Sequence, residues 1–355
     1  MGPQHPSTHG VLRLILRVDG EYIIDVKPDL GYLHRGAEKI AEDRSFLQFL
    51  PLTDRFDYLA GMFNNMVYCR AVEELAGIEV TERAEYIRVI VMELNRIASH
   101  LLFFGTFGMD VGALTPILYA FREREKVLDL LEMVSGARMT YNYIRFGGVH
   151  HDLTPEFIPK TRVFLDEINE RVDEYNNLLT GNEIFHIRTK NIGRLTAERA
   201  IALGVTGPML RACGLPFDLR RKQPYSIYNR FKFDVPTRTN GDTYDRYVLR
   251  LEEISQSANI VRQALDQIPD GPIISKVPKT LKAPFGDVYT AVESPRGELG
   301  VYLASDGGAK PYRFHLRPPS YSNLQALAEL SQDMKIGDLI VILGSIDIVL
   351  GDIDR

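Results

Sequence analysis

The chain has 355 residues, enough for one large domain or two, and its 45% hydrophobic and 25% charged content is that of an ordinary globular protein. A net charge of −5 and a pI near 6.0 argue against nucleic acid as a partner. Cys69 and Cys213 are too few for an iron–sulfur or Cys-rich zinc site within the chain.

The two thiols read as buried cysteines of a reducing compartment, with one disulfide left open. No apolar run approaches the ~20 residues needed to span a bilayer. No signal peptide is expected either, so any membrane association would come through partner subunits.

The chain opens Gly2-Pro3-Gln4-His5-Pro6-Ser7-Thr8-His9-Gly10. Pro6 and Gly10 disfavour a helix and put both imidazoles on a tight loop. Such a loop suits proton donation, metal ligation or a polar ligand contact. The plainer alternative is a capped turn whose histidines bond only to backbone. Strands 11–18 and 21–27 flank Asp19-Gly20, a hairpin signal. Residues 31–39 then read as a loop entering a helix.

The middle of the chain is helical. Residues 58–76, 82–104, 113–135 and 155–179 carry apolar side chains at helical spacing. The wide apolar face of 82–104 marks a central helix of a bundle. A short helix over 196–203 and a long one over 244–268 follow. Past Pro269-Asp270-Gly271-Pro272, strands 286–293 and 298–304 form a hairpin around Ser294-Pro295-Arg296-Gly297. A further strand over 312–316, a helix over 323–333 and a buried apolar segment complete the pattern. The expected fold class is α+β, mainly α: one central helical bundle with small antiparallel β-sheets from the two ends. As a single domain 1–355, it divides into an N-terminal hairpin and loop (1–40), a bundle (41–270) and a β-rich C-terminal part (271–355).

Several groups of residues bear chemistry. Asp54-Arg55-Phe56-Asp57-Tyr58 is expected to begin a helix after Pro51. There Tyr58 can offer its phenol to a ligand, or can simply be the edge of the core. Asp110 stands alone in apolar company after the wide-faced helix and needs a partner, for which histidine is the natural choice. Otherwise it is a helix N-cap. Residues 122–126 read as a charge-laced helix face. His150-His151-Asp152 is a weak metal signal, because adjacent histidines point apart on regular structure. No dinucleotide fingerprint and no nucleophile elbow are present.

These segments together resemble the D-type subunits of respiratory complex I, the quinone-site family descended from the large subunit of nickel–iron hydrogenases. The likeness is carried by the opening histidine motif, Gly31-Tyr32-Leu33-His34-Arg35-Gly36, the Asp54–Tyr58 motif and Glu93-Leu94-Asn95-Arg96. It continues through Asp110-Val111-Gly112-Ala113-Leu114-Thr115-Pro116, Ser135-Gly136-Ala137-Arg138 and Gly207-Pro208-Met209-Leu210-Arg211. It ends on Gly344-Ser345-Ile346-Asp347-Ile348-Val349-Leu350-Gly351-Asp352-Ile353-Asp354-Arg355, so the whole chain is covered in order.

The resemblance implies a hydrogenase-large-subunit-like fold and a component, inactive alone, of a proton-translocating NADH–quinone oxidoreductase. It implies that His9 and Tyr58 hold the quinone head group, that Asp110 pairs with His9, and that Arg35 and Arg55 lie near a neighbour's iron–sulfur cluster. Menaquinone or ubiquinone is the implied substrate, and no metal or flavin is bound by this chain. The [4Fe–4S] cluster belongs to the adjacent iron–sulfur (B-type) subunit. A C-type subunit and a membrane-arm subunit at the quinone channel are the other partners. The chain would be peripheral on the cytoplasmic side of the cell membrane, as part of a membrane complex.

Two departures stand out. The four thiols that bind nickel in the hydrogenases are missing, which excludes hydrogen chemistry. Thr140 also occupies a position near the cluster where many relatives carry histidine. Two alternatives follow from the same residues: the same component in a complex fed by ferredoxin or another donor, or a scaffold without redox function. A free-standing metalloenzyme using His5 and His9 would be a third class.

Overall fold

The structure, a computed structural model, describes residues 11–278 and 280–355. Its architecture is mainly α with small antiparallel sheets, as the sequence pattern implies. Strands β1 (Arg13–Asp19) and β2 (Tyr22–Asp29) form the N-terminal hairpin. Gly20-Glu21 makes the turn, one residue later than expected, and a bulge at Arg17/Val18 shifts the register. Helices α1 (Ala37–Asp43), α2 (Phe46–Thr53) and α3 (Gly61–Ala76) lead into α4 (Glu82–Val111) and α5 (Thr115–Ser135). The two-residue strands β3 (Ile144–Arg145) and β4 (Gly148–Val149) separate them from α6 (Phe157–Tyr175). A π-helical turn over Asn176–Thr180 carries α6 toward α7 (Glu183–Thr189), so the helix expected over 155–179 is not regular throughout.

Short helices α8 (Ala197–Ala202), α9 (Pro208–Ala212) and α10 (Leu219–Lys222) precede the long α11 (Thr243–Gln267). Strands β5 (Gly286–Ser294), β6 (Gly297–Ser305) and β7 (Arg313–Arg317) form an antiparallel sheet in that order. The helix expected over 323–333 is instead two short ones, α12 (Pro319–Leu324) and α13 (Leu327–Ser331). The apolar C-terminal segment folds as α14 (Ile336–Ile346) and α15 (Leu350–Asp354).

Helix α4 is the axis of the bundle and packs against α3, α5, α11 and α14. One apolar core joins α2–α6 and α11 to the face of the β5–β7 sheet. A second core places the N-terminal hairpin against α8, α9 and α12–α15, so the two ends of the chain meet. Cys69 and Cys213 are both buried free thiols.

The polar residues in the middle of α4, from Arg88 to His100, are buried as deeply as its apolar ones. Arg88, Glu93, Arg96 and His100 are all fully inside. Buried charges need partners, and each has one. Arg88 pairs with Glu73 at 2.5 Å, Arg96 with Glu93 at 3.1 Å, and Glu93 with Arg220 at 3.1 Å. His100 Nε2 meets Glu253 at 2.9 Å. The charged face expected over 122–126 is also partly internal. Glu123 and Arg124 are buried, and Glu123 accepts from the Tyr175 hydroxyl at 2.7 Å.

Candidate functional site

The loop before α1 wraps the C-terminal helix. The Gly31 and Leu33 N–H groups donate to the two oxygens of Asp354, at 2.9 and 2.8 Å. His34 Nδ1 lies 2.7 Å from the Asp354 carbonyl. This grip aims Arg35 at the turn that follows α2. Its guanidinium donates to the Arg55 carbonyl at 2.8 Å and to the Gly351 carbonyl at 2.9 Å.

Tyr58 does not start a helix. Pro51 lies inside α2, which ends at Thr53, and residues 54–60 form a turn. The cause is local: Asp57 accepts the Leu59 N–H on its side chain, while its carbonyl takes the Ala60 N–H and the Asn64 amide. These bonds hold the chain out of helical geometry until Gly61. The phenol is left 37% exposed at the rim. Burial of its remainder and the neighbouring Asp57 raise its pKa above the ordinary value, and Arg296 and Arg35 oppose that rise. Tyr58 is therefore protonated across the physiological range.

Arg55, in the same turn, has about half of its side chain exposed, donates to the Pro51 carbonyl and lies 3.9 Å from Asp54. Asp54 is buried, and burial pushes its carboxyl up to about 7. The Asn142 N–H donates to Asp54 at 2.6 Å, which brings the half-buried Thr140 segment against the same turn. Thr140 has φ +53°, a left-handed conformation unfavourable for a β-branched residue.

Asp110 is neither after α4 nor an N-cap. It sits half-buried in the last turn of α4, since the helix runs on to Val111. Its carboxylate lies against Gly344 of α14, where a Cβ would come within 2.5 Å of Oδ2. The expected partner His9 lies outside the described residues, as does His5. His150 and His151 do not point apart. Their rings are 4.1 Å apart at the surface. Among the described residues no group of three His, Cys, Asp or Glu side chains is placed to hold a metal ion.

The structure thus brings Arg35, Arg55, Tyr58 and the Thr140 segment to one rim, and places Asp110 against α14. Sequence reasoning assigned no role to the charges behind the rim. Arg296 donates to Asp57 at 2.7 Å and pairs with Asp347 at 3.4 Å. The only sequence signal was the set of aspartates within an apolar C-terminal run.

Residues 110–283 and 275–355 match the family model for the 49 kDa subunit of the respiratory-chain NADH dehydrogenase. The chain belongs to that family. It is 57% identical to the D-type subunit of NADH-quinone oxidoreductase from Dehalococcoides mccartyi, over 100% of this chain and 97% of the relative. The corresponding protein of Desulforamulus reducens is 54% identical with the same coverage. That of Clostridium beijerinckii is 53% identical, over 100% of this chain and 96% of the relative. The chain is accordingly a complex I component, one part of an oxidoreductase assembly with other subunits as its partners. Among the described residues no helix is long and apolar enough to cross a membrane.

Proposed function

We propose that this chain is the quinone-site component of a membrane-associated, proton-translocating NADH–quinone oxidoreductase on the cytoplasmic side of the cell membrane. The observation that carries the reading is Tyr58: a protonated, partly exposed phenol flanked by Arg35 and backed by Arg296. Those cations make loss of its proton cheaper, and Asp57 favours its return. That balance suits a group which donates and recovers a proton. The names of the relatives support the same substrate class.

Bound menaquinone or ubiquinone would supply the two carbonyl oxygens to be reduced, with electrons from a [4Fe–4S] cluster on the adjacent B-type partner. Tyr58 donates a hydrogen bond and then a proton to one oxygen, and His9 serves the other. Asp110 orients the His9 ring and supports its protonated form. Arg35 and Arg55 add positive potential on the side facing the partner's cluster. Deprotonation of Tyr58 changes the charge beside Arg35 and Arg296. Through them the chemistry would be coupled to the membrane-arm and C-type partners and to proton movement.

Tyr58→Phe removes one donor and little else. In the assembled complex it should sharply reduce quinone turnover while the iron–sulfur clusters are still reduced by the donor. Near-normal quinone turnover in that variant would sink the reading.

A further inference from the structure

Behind Tyr58, Asp57 and Arg296 belong to a larger set of buried charges. Arg296 is 1% exposed in the Pro295–Arg296 turn between β5 and β6. Besides Asp57 and Asp347 it donates to Ser99 Oγ of α4 at 3.2 Å. Asp347, the residue that ends α14, also lies 3.8 Å from Arg250 of α11. Asp352 of α15 is completely buried. Its Oδ2 accepts the Ser320 N–H of α12 at 3.3 Å, and its Oδ1 is buried with no hydrogen-bond partner among the described residues.

The carboxylates of Asp57 and Asp347 therefore face two guanidiniums, Arg296 and Arg250. Asp57 holds Arg296 most closely, and Asp347 lies against both cations. Asp352 has no guanidinium in contact, and a buried carboxylate so placed takes a proton. Helix α15 lies directly against the turn that carries Asp57 and Tyr58: a Cβ on Gly351, next to Asp352, would come within 2.6 Å of the carbonyl oxygen of Phe56, next to Asp57. Arg296 lies within electrostatic reach of Tyr58 and of all three acids.

We propose that Asp57 and Asp352 share one proton and form the reservoir that reprotonates Tyr58. The proposal rests on the quinone chemistry assigned to Tyr58. In the donation step the Tyr58 O–H bond breaks as an O–H bond forms on a quinone oxygen that has received electrons from the partner's cluster. The carboxyl O–H of the pair then breaks and the phenol O–H re-forms. The pair is left doubly anionic until solvent returns the proton. The direction is downhill. Burial and the Asp57 charge push the Asp352 carboxyl up to about 7, well below the raised phenol. Asp352 acts through Tyr58, as a positioning residue for the proton.

The test uses the assembled complex. Asp352→Asn keeps the volume and an acceptor for Ser320 but holds no transferable proton. It should lower kcat on the order of tenfold or more, with KM for quinone and upstream cluster reduction little changed. The dependence of kcat on pH near neutrality should flatten. Asp352→Glu should restore most of the turnover. In infrared spectra near pH 6 the parent should show a protonated-carboxyl C=O band that shifts in Asp352→Glu and vanishes in Asp352→Asn. Parental kcat and pH profile in Asp352→Asn would overturn the proposal. So would the absence of that band from the parent, which can be read even if Asp352→Asn fails to assemble. A fully active Tyr58→Phe complex would overturn the quinone reading itself. An inactive Tyr58→Phe beside a parental Asp352→Asn would overturn the reservoir alone.

Discussion

The Arg35 guanidinium donates to the Gly351 carbonyl at 2.9 Å, and so ties the loop before α1 to the last helix of the chain. Its second bond, to the Arg55 carbonyl at 2.8 Å, fixes the turn that carries Tyr58 against the same helix. Three segments far apart in sequence share one cation, and the position of the phenol depends on all three.

Gly351 is where this contact is tightest. A Cβ there would come within 2.6 Å of the Phe56 carbonyl oxygen and 3.3 Å of the Arg55 carbonyl oxygen. Both obstacles are backbone, so Gly351→Ala must push the Tyr58 turn away from α15. The expected cost is about 1–3 kcal/mol of stability, with a raised KM for quinone. Thermal denaturation and steady-state kinetics of the complex check it. A variant unchanged in both would show that the turn tolerates displacement.

Gly344 offers the contrasting case. A Cβ there would meet the Asp110 carboxylate at 2.5 Å and the Phe107 ring at 3.2 Å, both side-chain atoms. The carboxylate can rotate away, so Gly344→Ala should cost little stability, about 1 kcal/mol or less. On the proposed reading its effect should fall on quinone turnover, because a displaced Asp110 would no longer orient His9. If turnover is unaffected, the position of Asp110 does not matter to the reaction.

Much of the fold was legible in the sequence. The α11 helix and the β5–β6 hairpin fall within one or two residues of expectation, because helical spacing and the Pro295-Arg296 turn are local signals. Asp110 was expected after a helix over 82–104, whereas α4 runs on through Gly105 and Gly108 to Val111. In the structure they let α5 approach: Cβ atoms there would lie 2.9 Å from Ile117 Cα and 3.0 Å from Pro116 Cβ. Tyr58 was expected inside a helix because periodicity cannot register the capping bonds of Asp57. The charges behind it were invisible for a different reason. Arg296 lies 239 residues from Asp57, and no local pattern marks such a pair.

Asp54 makes stability depend on pH. Its carboxyl, ordinarily near 3.8, is pushed to about 7 by burial. Between about pH 4 and 7 the folded state therefore holds a proton that the unfolded chain has released. Stability falls as pH rises through that window and levels off above it. Asp54→Asn keeps an acceptor for the Asn142 N–H and removes the titration. The thermal midpoint of the complex should then fall less between pH 5 and 8 than in the parent. Asp352 is raised to the same range and leaves a residual slope in the same direction. An identical slope in parent and variant would mean that Asp54 stays ionised throughout.

On the proposed reading, Thr140 faces the partner's cluster. It lies two residues before Asn142, whose N–H is bound to Asp54, so its segment is fixed against the Arg55 turn. Threonine has no ionisation near neutral pH. Reduction of a nearby cluster cannot draw a proton onto this position, and the cluster potential should depend only weakly on pH. An imidazole in its place would take up a proton on reduction, and the resulting cation would stabilise the added electron. Thr140→His should therefore raise the potential and make it fall with rising pH. The left-handed backbone at Thr140 is no obstacle, since histidine is among the residues that adopt it more readily. Redox titration of the cluster by electron paramagnetic resonance at several pH values, in parent and variant complexes, checks the expectation. A parent potential already falling by roughly 59 mV per pH unit, one proton for one electron, would assign the coupling to another group.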